Sequence, residues 1–334
     1  MVTRWCSLKR IGAVIVALSA VVSLPADSQT RQSGQWWPNA EWGPEDQAGA
    51  SNRITSEKVL SALRLATTGK IYELGQIYEQ VMPFYGSRSY SLALVKLTGG
   101  AAVGANRLVA NEEFVSAQIG QVGTQLDGLG HIGQEVAMPG GQTEQVFYNG
   151  FTAKEMDAPN GLQKLGIEHI KPIVTRGILI DVAGYKGVPL LPNSYEVTVN
   201  DVLGALARQG MSATDIAPGD AVLFRYGWSA LWTDPAASNL NPPGIGLAVA
   251  RWVAERKVTM VGSDTFGSEV LPNPQADLVF PVHQELMMKN GIFNLENTRL
   301  EELAADRAYQ FLMIVTPLRI KGATGSPVRP IAIR

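Results

Sequence analysis

A glycine-rich stretch, GQVGTQLDGLGH, concentrates chemically capable side chains between positions 120 and 131. It carries Gln121, Gln125, Asp127 and His131, and His131 is one of only 3 histidines in the chain. Carboxylate and amide oxygens are ligands for hard divalent cations, and imidazole is the usual group for moving protons near neutral pH. The stretch is therefore a candidate centre for metal-assisted or acid–base chemistry.

Residue alternation predicts that three of these side chains face the same way. If residues 121–127 are extended, Gln121, Gln125 and Asp127 lie on one face of a strand. Other roles stay open at this point, because Asp127 could cap a turn and His131 could be structural. The two glutamines are open between metal ligands, groups that bind a substrate amide, and remnants of a lost metal site.

Two further candidates lie far away in the sequence. His283 begins a predicted helix, and Glu296 ends the next predicted strand. Seven residues of helix rise about 10 Å and four residues of strand return about 13 Å, so both side chains can reach one end of a sheet. Asp127 and Glu296 would balance one divalent cation, and His283 would add a nitrogen ligand. The competing interpretations are a surface position for His283 and a salt bridge between Glu296 and Arg299.

The elements that position these residues alternate between strands and helices. Apolar runs predict strands at 177–184, 219–228, 258–264, 292–296 and 309–320. One helix is predicted before the first strand, with Thr55 as its N-cap and Gly69 at its end. Further helices are predicted between strands: one begins at the N-cap Thr198 and ends at Gly210, and another includes HQELMMKNG. This alternation predicts an α/β fold with a mixed sheet.

Composition narrows the class of protein. Hydrophobic residues make up 46% of the chain and charged residues 17%, so a large core is expected. A formal net charge of -2 argues against a nucleic-acid partner, which normally requires a basic surface. A serine nucleophile in G-x-S-x-G, a Walker A loop and H-E-x-x-H are all absent from the sequence.

The N-terminal residues are typical of an export signal. Arg4, Lys9 and Arg10 precede an apolar run at 11–22 that is short for a membrane span, and small residues follow. We expect a signal peptide at 1–28, a loose leader at 29–40 and a single folded domain at 41–334. An uncleaved membrane anchor is the alternative. Signal removal would take away Cys6, the only cysteine, and would leave a periplasmic or secreted protein without a membrane partner.

At these residues the chain resembles the putative cyclase family, which includes bacterial kynurenine formamidases and isatin hydrolases. That family carries H-x-G-T-H-x-D-x-P-x-H, and the corresponding residues here are QVGTQLDGLGH. The segments WGPEDQAGASNRIT, RGILIDV, GDAVLFRYGW, VGSDTFG, VHQELMMKNGIFNLENTRLEEL and LRIKGATGSPVRPIAI are similar to other blocks of the family. The resemblance implies the family's swivelling β/β/α fold, with a barrel-like mixed sheet surrounded by helices.

The resemblance also implies an activity and a ligand set. It implies a metal-dependent hydrolase that opens an amide bond of a small aryl formamide or cyclic amide. Carried over by position, Asp127 is a metal ligand, His131 shuttles protons, and His283 with Glu296 is the distal ligand pair. The two leading motif histidines are replaced by Gln121 and Gln125, and the motif proline by Leu129.

The replaced histidines change the expected metal content. Neutral amide oxygens are poor zinc ligands, so a binuclear zinc site is disfavoured. We expect one divalent ion, with Mn²⁺ favoured and Zn²⁺ as the alternative. A non-catalytic periplasmic binding protein on the same scaffold and a lactone hydrolase are the rival functions.

The sequence also suggests which residues contact a substrate and how many chains assemble. Trp228, Tyr148 and His169 are candidates for contact with a small-molecule substrate. Tryptophan more often belongs simply to the core, and a structural role is the alternative for His169. The resemblance implies a homodimer or homotetramer.

Overall fold

The computed structural model describes Met1, residues 35–138 and residues 140–334. Apart from Met1, the expected signal peptide lies outside these residues, as do positions 29–34 of the expected leader. Trp36, at the end of that leader, donates its indole N–H to the carbonyl of Phe147 at 3.2 Å. In the part of the chain that is described, no helix has the length and apolar character needed to cross a membrane.

The described residues include strands from Ile71 to Ile333. The strands are β1 (Ile71–Glu73), β2 (Tyr90–Lys96), β3 (Asn111–Ala117), β4 (Gln125–Asp127), β5 (Gln134–Ala137), β6 (Thr143–Val146), β7 (Ile173–Asp181), β8 (Glu196–Val197), β9 (Ala221–Arg225), β10 (Gly244–Ile245), β11 (Met260–Ser263), β12 (Phe293–Glu296), β13 (Gln310–Val315), β14 (Gly325–Pro327) and β15 (Ile331–Ile333). Nine of them form one large sheet, and the other six form three two-stranded sheets.

The large sheet is mixed and curls into a half-barrel, in the order β1-β15-β13-β7-β9-β11-β12-β4-β14. Strands β7, β9, β11 and β12 are parallel neighbours in its centre. Antiparallel strands extend it on both sides, with β13 beside β7 and β4 beside β12. The predicted α/β fold with a mixed, barrel-like sheet is confirmed.

Helices surround this sheet. They are α1 (Ser56–Leu63), α2 (Ala153–Met156), α3 (Val182–Lys186), α4 (Val199–Arg208), α5 (Pro235–Ser238), α6 (Leu247–Glu255), α7 (Pro281–His283) and α8 (Glu301–Ala305), together with a π-helix (Gln284–Lys289) and several short 3₁₀ segments. Thr55 caps α1, and Thr198 caps α4 in a capping box with Asp201, as the sequence predicts. Helix α1 ends at Leu63 and not at Gly69.

The central parallel strands are largely buried on both faces, which explains the mainly apolar sequences of β9 and β11. All residues of β11 and β12 are buried, as are four of the five in β9. The strand predicted at 309–320 was too long, because β13 ends at Val315 and the chain then loses its regular pairing.

The predicted extended segment 121–127 was also wrong in its first half. Only Gln125–Asp127 is a strand. Gly123 adopts a φ of +67°, and a Cβ built on it would lie 2.4 Å from the ring of Tyr78. Gln121 therefore belongs to a turn held against Tyr78, and strand alternation does not decide which way its side chain points.

Candidate metal centre and active site

Strand register places the two acidic candidates side by side. Strands β4 and β12 are antiparallel neighbours, and Glu296 lies directly opposite Gln125 in their ladder. Asp127 is two residues beyond Gln125 on β4, so its side chain leaves the same face of the sheet. Side chains that are 169 positions apart, from 127 to 296, thereby meet on one face of the half-barrel sheet.

His283 is brought to the same point by an irregular helix. The predicted helix from His283 onward is the last residue of α7 followed by the π-helix Gln284–Lys289. Wide π turns in proteins frequently occur at functional sites, where they reposition a side chain. Phe280, just before α7, adopts a φ of +50°, a strained conformation for an aromatic residue.

The three groups form a compact cluster of possible ligands. Single ligand atoms of Asp127, His283 and Glu296 all lie within 4.8 Å of one another. The His283 Nε2 is 3.4 Å from Glu296 Oε1 and 3.7 Å from Asp127 Oδ2. All three side chains are buried, so their charges are poorly screened by solvent.

Protonation in the cluster follows from burial and mutual charge. Burial raises the pKa of the Asp127 carboxyl, but attraction to His131 and His283 in their protonated forms, with hydrogen bonds from His283 and Asn294, outweighs this and lowers the pKa overall. Burial and the charge of Asp127 raise the pKa of Glu296. Burial lowers the pKa of the His283 imidazole, but hydrogen bonds to Asp127, Glu269 and Glu296 dominate and raise it well above its usual range.

The donor set fits an oxygen-favouring divalent cation. The cluster contains two buried carboxylates, and a third, Glu269, lies behind the single imidazole. The buried amide oxygens of Gln125 and Asn294 have no hydrogen-bond partner among the described residues. The site thus holds more buried oxygen atoms, charged and neutral, than cationic groups, and a hard cation would balance this excess. One nitrogen ligand among the oxygens is compatible with Mn²⁺.

His131 stands beside the cluster and is free of side-chain hydrogen bonds to the described residues. Its ring centroid lies 6.3 Å from that of His283. It is only partly buried, and its backbone N–H donates to Gly128 O at 3.0 Å. Burial lowers the pKa of its imidazole, and the charge of Asp127 only partly opposes this, so the ring is neutral at neutral pH. A neutral imidazole at the edge of a buried site can accept a proton.

An aromatic cavity adjoins the cluster. A cavity of about 300 Å³ is lined by Tyr85, Phe266 and Phe280, among others. The rings of Tyr85 and Phe266 stack with centroids 4.3 Å apart, and the ring of Phe280 lies 5.3 Å from that of His283. Tyr85 and Phe266 also line a narrower cleft whose walls include Gln121, Gln125 and Glu296. The aromatic cavity and the ligand cluster are thus next to each other.

Comparison with known proteins decides the family. The family model described as "Putative cyclase" matches residues 72–270. The chain belongs to this cyclase family. The matched region includes the QVGTQLDGLGH motif, and His283 and Glu296 lie beyond it.

Individual proteins that are similar to this cyclase-family chain support the same family membership. It is 28% identical over 127 residues to an isatin hydrolase from Roseibium aggregatum, a match that covers 36% of this chain and 46% of that relative. The chain thus matches slightly less than half the length of that curated protein. A crystal structure described as a novel cyclase shares 32% identity and a TM-score of 0.77, covering 89% of this chain and 99% of that one. Isatin hydrolase A from Ralstonia solanacearum shares the fold at 20% identity and a TM-score of 0.59, covering 84% and 98%.

In this cyclase-family protein the other sequence candidates lie at different distances from the cluster. Gln125 contacts both carboxylates, whereas Gln121 contacts Gln125, at 3.4 Å, and no clustered residue among those described. Trp228 donates its indole N–H to Leu191 O at 2.9 Å, and the Tyr148 hydroxyl donates to Asp46 at 2.8 Å.

The residues predicted to contact a substrate do not belong to the aromatic wall. The side chain of His169 is 40% exposed beside Glu168. The walls of the aromatic cavity and of the narrow cleft, as formed by the described residues, do not include Trp228, Tyr148 or His169. Their contact with a substrate stays a prediction.

Residues that the sequence motif did not indicate complete the site. Asn294 and Glu269 contact the candidate ligands directly, and Tyr85, Phe266 and Phe280 form the aromatic wall. Asn294 could have been found by alternation, because it precedes Glu296 by two positions in a predicted strand. Glu269 lies in a loop, and no periodic signal marks it.

Glu269 holds His283 in position from behind. Its Oε1 lies 2.5 Å from His283 Nδ1, and its carboxylate accepts the backbone N–H groups of Val282 and His283 at 3.2 and 3.1 Å. We expect Glu269→Gln to weaken Mn²⁺ binding by about 10- to 100-fold, because partners of this kind fix the tautomer and basicity of a ligating histidine. Calorimetric titration of the metal-stripped variant measures the loss.

The matched control for this prediction is Glu285→Gln. Glu285 lies on the adjoining π-helix, but its carboxylate pairs with Lys289 at 3.0 Å. We expect that control to bind Mn²⁺ as the unmodified protein does. Equal affinities in the two variants would show that Glu269 does not position His283.

Proposed function

We propose that this protein is a metal-dependent hydrolase that opens an amide C–N bond in a small aryl formamide or cyclic amide. Convergence of Asp127, His283 and Glu296 beside an aromatic cavity of about 300 Å³ is the observation that supports the proposal. Family membership and the isatin hydrolase relative support the same chemistry. A cavity of this size suits a ligand with one aromatic ring.

The residues have separate tasks in this reaction. Asp127, Glu296 and His283 would hold a divalent ion, which supplies Lewis acidity toward a carbonyl oxygen and makes water more acidic. The neutral His131 takes a proton from the attacking water and returns it to the leaving nitrogen as the C–N bond breaks. The products are an amine and a carboxylic acid, which stay in one ring-opened molecule when the substrate is a cyclic amide, so atoms and charges balance.

The aromatic wall orients the substrate and limits water. Tyr85 and Phe266 are stacked on each other, and Phe280 meets Tyr85 edge to face at 5.9 Å between ring centroids. An aryl ring of the substrate fits the same offset or edge-on packing, which contributes about 0.5–1.5 kcal/mol per ring pair beyond burial. The reacting carbonyl would then face the cluster through the cleft that Tyr85 and Phe266 share with Glu296.

A substrate screen tests the proposed function. Purified protein, stripped of metal and reloaded with Mn²⁺ or Zn²⁺, is offered aryl formamides, cyclic imides and lactones, and product acids are measured. We expect turnover of an aromatic amide with Mn²⁺. Turnover of lactones alone would favour the rival ester chemistry at the same site.

One observation favours a non-catalytic binding protein as the second candidate. The amide nitrogen of Gln125 already bridges Asp127 and Glu296, at 3.3 and 3.2 Å, and so holds the carboxylates together without a metal. A binding protein on this scaffold would retain the aromatic cavity and bind the screened compounds without turnover. Calorimetric binding in the absence of product separates it from the hydrolase.

We also propose that the hairpin of β2 and β3 joins two copies of this chain. Both faces of the hairpin are exposed, and Leu94 and Phe114 keep 62% and 65% of their surface open. An isolated hairpin is marginally stable, and an apolar surface of this extent is typical of a contact site. A groove of about 730 Å³ at its base includes Tyr90 and Val115. Each chain therefore offers both an apolar arm and a groove for a partner's arm.

We expect the protein to be a homodimer or larger assembly and Leu94→Asp to convert it to monomers. A charge placed in the apolar contact would be desolvated without a partner. Light scattering coupled to gel filtration gives the mass of each variant. Leu60→Asp is the control, since Leu60 is equally exposed, at 58%, but lies on helix α1. A monomeric unmodified protein would contradict the proposal.

A further inference from the structure

Asn294 occupies the centre of the ligand cluster. It lies on β12 two residues before Glu296, and it is 1% exposed. Its amide nitrogen is 3.1 Å from Asp127 Oδ2, 2.9 Å from Glu296 Oε1 and 3.2 Å from His283 Nε2. One side chain thus touches all three of the candidate ligands.

The hydrogen bonds of this amide are incomplete. An amide nitrogen has two hydrogens, which the carboxylates of Asp127 and Glu296 can accept, and the same nitrogen also lies against His283 Nε2. Its Oδ1 is buried and has no hydrogen-bond partner among the described residues. A buried carbonyl oxygen without a partner is destabilising, so an arrangement in which this oxygen has a partner would be favoured.

Gln125 repeats the pattern from the other side of the carboxylates. Its nitrogen contacts Asp127 Oδ1 at 3.3 Å and Glu296 Oε2 at 3.2 Å, and its Oε1 is likewise buried and unpartnered among the described residues. Each carboxylate therefore accepts one hydrogen bond from each amide. Two amide nitrogens bridge the acids, and two amide oxygens have no role in that arrangement.

We propose that Asn294 is a metal ligand that reaches its ligating state by turning its amide through half a rotation. The turn exchanges nitrogen for oxygen at nearly the same positions, because the two ends of an amide have almost the same shape. With nitrogen inward, Asn294 bridges Asp127 and Glu296. With oxygen inward, Oδ1 supplies a neutral donor to an ion held by Asp127, His283 and Glu296. This inference depends on the metal site of the proposed function.

The oxygen of Asn294 also sets the expected metal preference. Together with the two carboxylates it makes the donor set mostly oxygen, with His283 as the one nitrogen. Oxygen-rich sets suit Mn²⁺ and Mg²⁺, whereas structural and catalytic zinc sites rely on histidine and cysteine. Removal of the Asn294 oxygen should therefore weaken Mn²⁺ binding more than Zn²⁺ binding.

The test measures metal affinity directly and does not depend on turnover. Metal-stripped protein is titrated with Mn²⁺, and free Mn²⁺ is followed by its electron paramagnetic resonance signal. We expect Asn294→Leu, which keeps the volume and removes both amide atoms, to lower Mn²⁺ affinity at least about tenfold. We expect Asn294→Asp, which places an anionic oxygen at the same point, to raise it at least about tenfold.

The outcomes are distinguishable. If Asn294 only bridges the acids and must be displaced, Asn294→Leu would bind Mn²⁺ as tightly as the unmodified protein or more tightly, and the inference would be overturned while the metal site stands. If the unmodified protein binds neither Mn²⁺ nor Zn²⁺, the inference and the proposed metal dependence both fail. Asn294→Asp decides the question if Asn294→Leu does not fold.

The control variant for the titration is Asn290→Ala. The amide of Asn290 donates to Glu285 O at 2.7 Å, at the end of the π-helix. It makes no contact with the three candidate ligands in the described residues, so its Mn²⁺ affinity should match that of the unmodified protein. A parallel loss in Asn290→Ala would assign the effect of Asn294→Leu to general disturbance of the site.

Discussion

Replacement of His131 by Gln should lower kcat/KM by about 10²- to 10⁴-fold, the usual contribution of a positioned acid–base group. His131 is the neutral imidazole beside the cluster, with its ring 6.3 Å from that of His283, and it has no side-chain hydrogen bond to the described residues that would assign it a structural task. Gln keeps a polar side chain of similar reach but accepts no proton near neutral pH. Steady-state kinetics on the best amide from the substrate screen measures the loss.

The pH profile gives the same prediction an independent readout. Because burial lowers the pKa of His131, the base stays neutral to below the ordinary histidine value of about 6.5, and kcat/KM should fall only as the pH drops further. That acidic limb should be absent from the residual activity of His131→Gln. The variant should keep its Mn²⁺ affinity and melting temperature, since His131 is not one of the three clustered ligand residues. Unchanged kcat/KM in His131→Gln would contradict its catalytic role.

The central sheet was predictable because its strands are buried on both faces. Strands β9 and β11 carry nearly continuous apolar sequences, and β7 is apolar at most of its positions; such sequences indicate parallel strands that are covered by helices. The cap at Thr198 was predictable because a capping box depends on residues only three apart. These features depend on local sequence, and local patterns are sufficient to find them.

The turn before β4 was not predictable from alternation. Its course depends on distant residues, since Tyr78 donates its hydroxyl to Thr124 O at 2.6 Å and Asn297 donates its amide to Gly123 O at 2.9 Å. Gly123 permits the positive φ that these contacts require. A pattern of period two describes only extended chain, so it could not reveal that Gln121 leaves the strand.

The hairpin of β2 and β3 was missed for a different reason. Its strands are exposed on both faces, so neither face imposes a regular alternation of polar and apolar residues. Glu269 was missed because it comes from a loop and reaches His283 across 14 positions of irregular chain. The two clustered carboxylates were easier to find, because Asp127 stands in a motif and Glu296 ends the predicted strand IFNLE.

Removal of the metal should abolish hydrolysis, and Asp127→Asn should abolish metal binding. Asp127 uses both carboxylate oxygens in the cluster, accepting from Gln125 at Oδ1 and from Asn294 at Oδ2, and it is fully buried. Asn preserves its shape but removes one of the two anionic charges that balance a divalent ion, so we expect Mn²⁺ affinity to fall at least about 100-fold. An ion that binds only the folded protein stabilises it, so we expect Mn²⁺ to raise the melting temperature of the unmodified protein and not that of Asp127→Asn.

The control for Asp127→Asn is Asp264→Asn, a second buried carboxylate with a different task. Asp264 accepts the backbone N–H groups of Tyr226, Gly227 and Trp228 at 2.8, 2.7 and 3.0 Å, so it closes a turn and is not one of the clustered ligands. Its substitution should lower the melting temperature yet leave the Mn²⁺-dependent rise intact. Elemental analysis and activity after chelation complete the test, and full activity in protein shown to be free of metal would contradict the metal-dependent mechanism. A different result would favour the binding protein: the metal-free protein binds the screened aromatic compounds, and no metal-loaded sample turns them over. Such binding is expected of a binding protein because the aromatic wall needs no ion to pack against a ring.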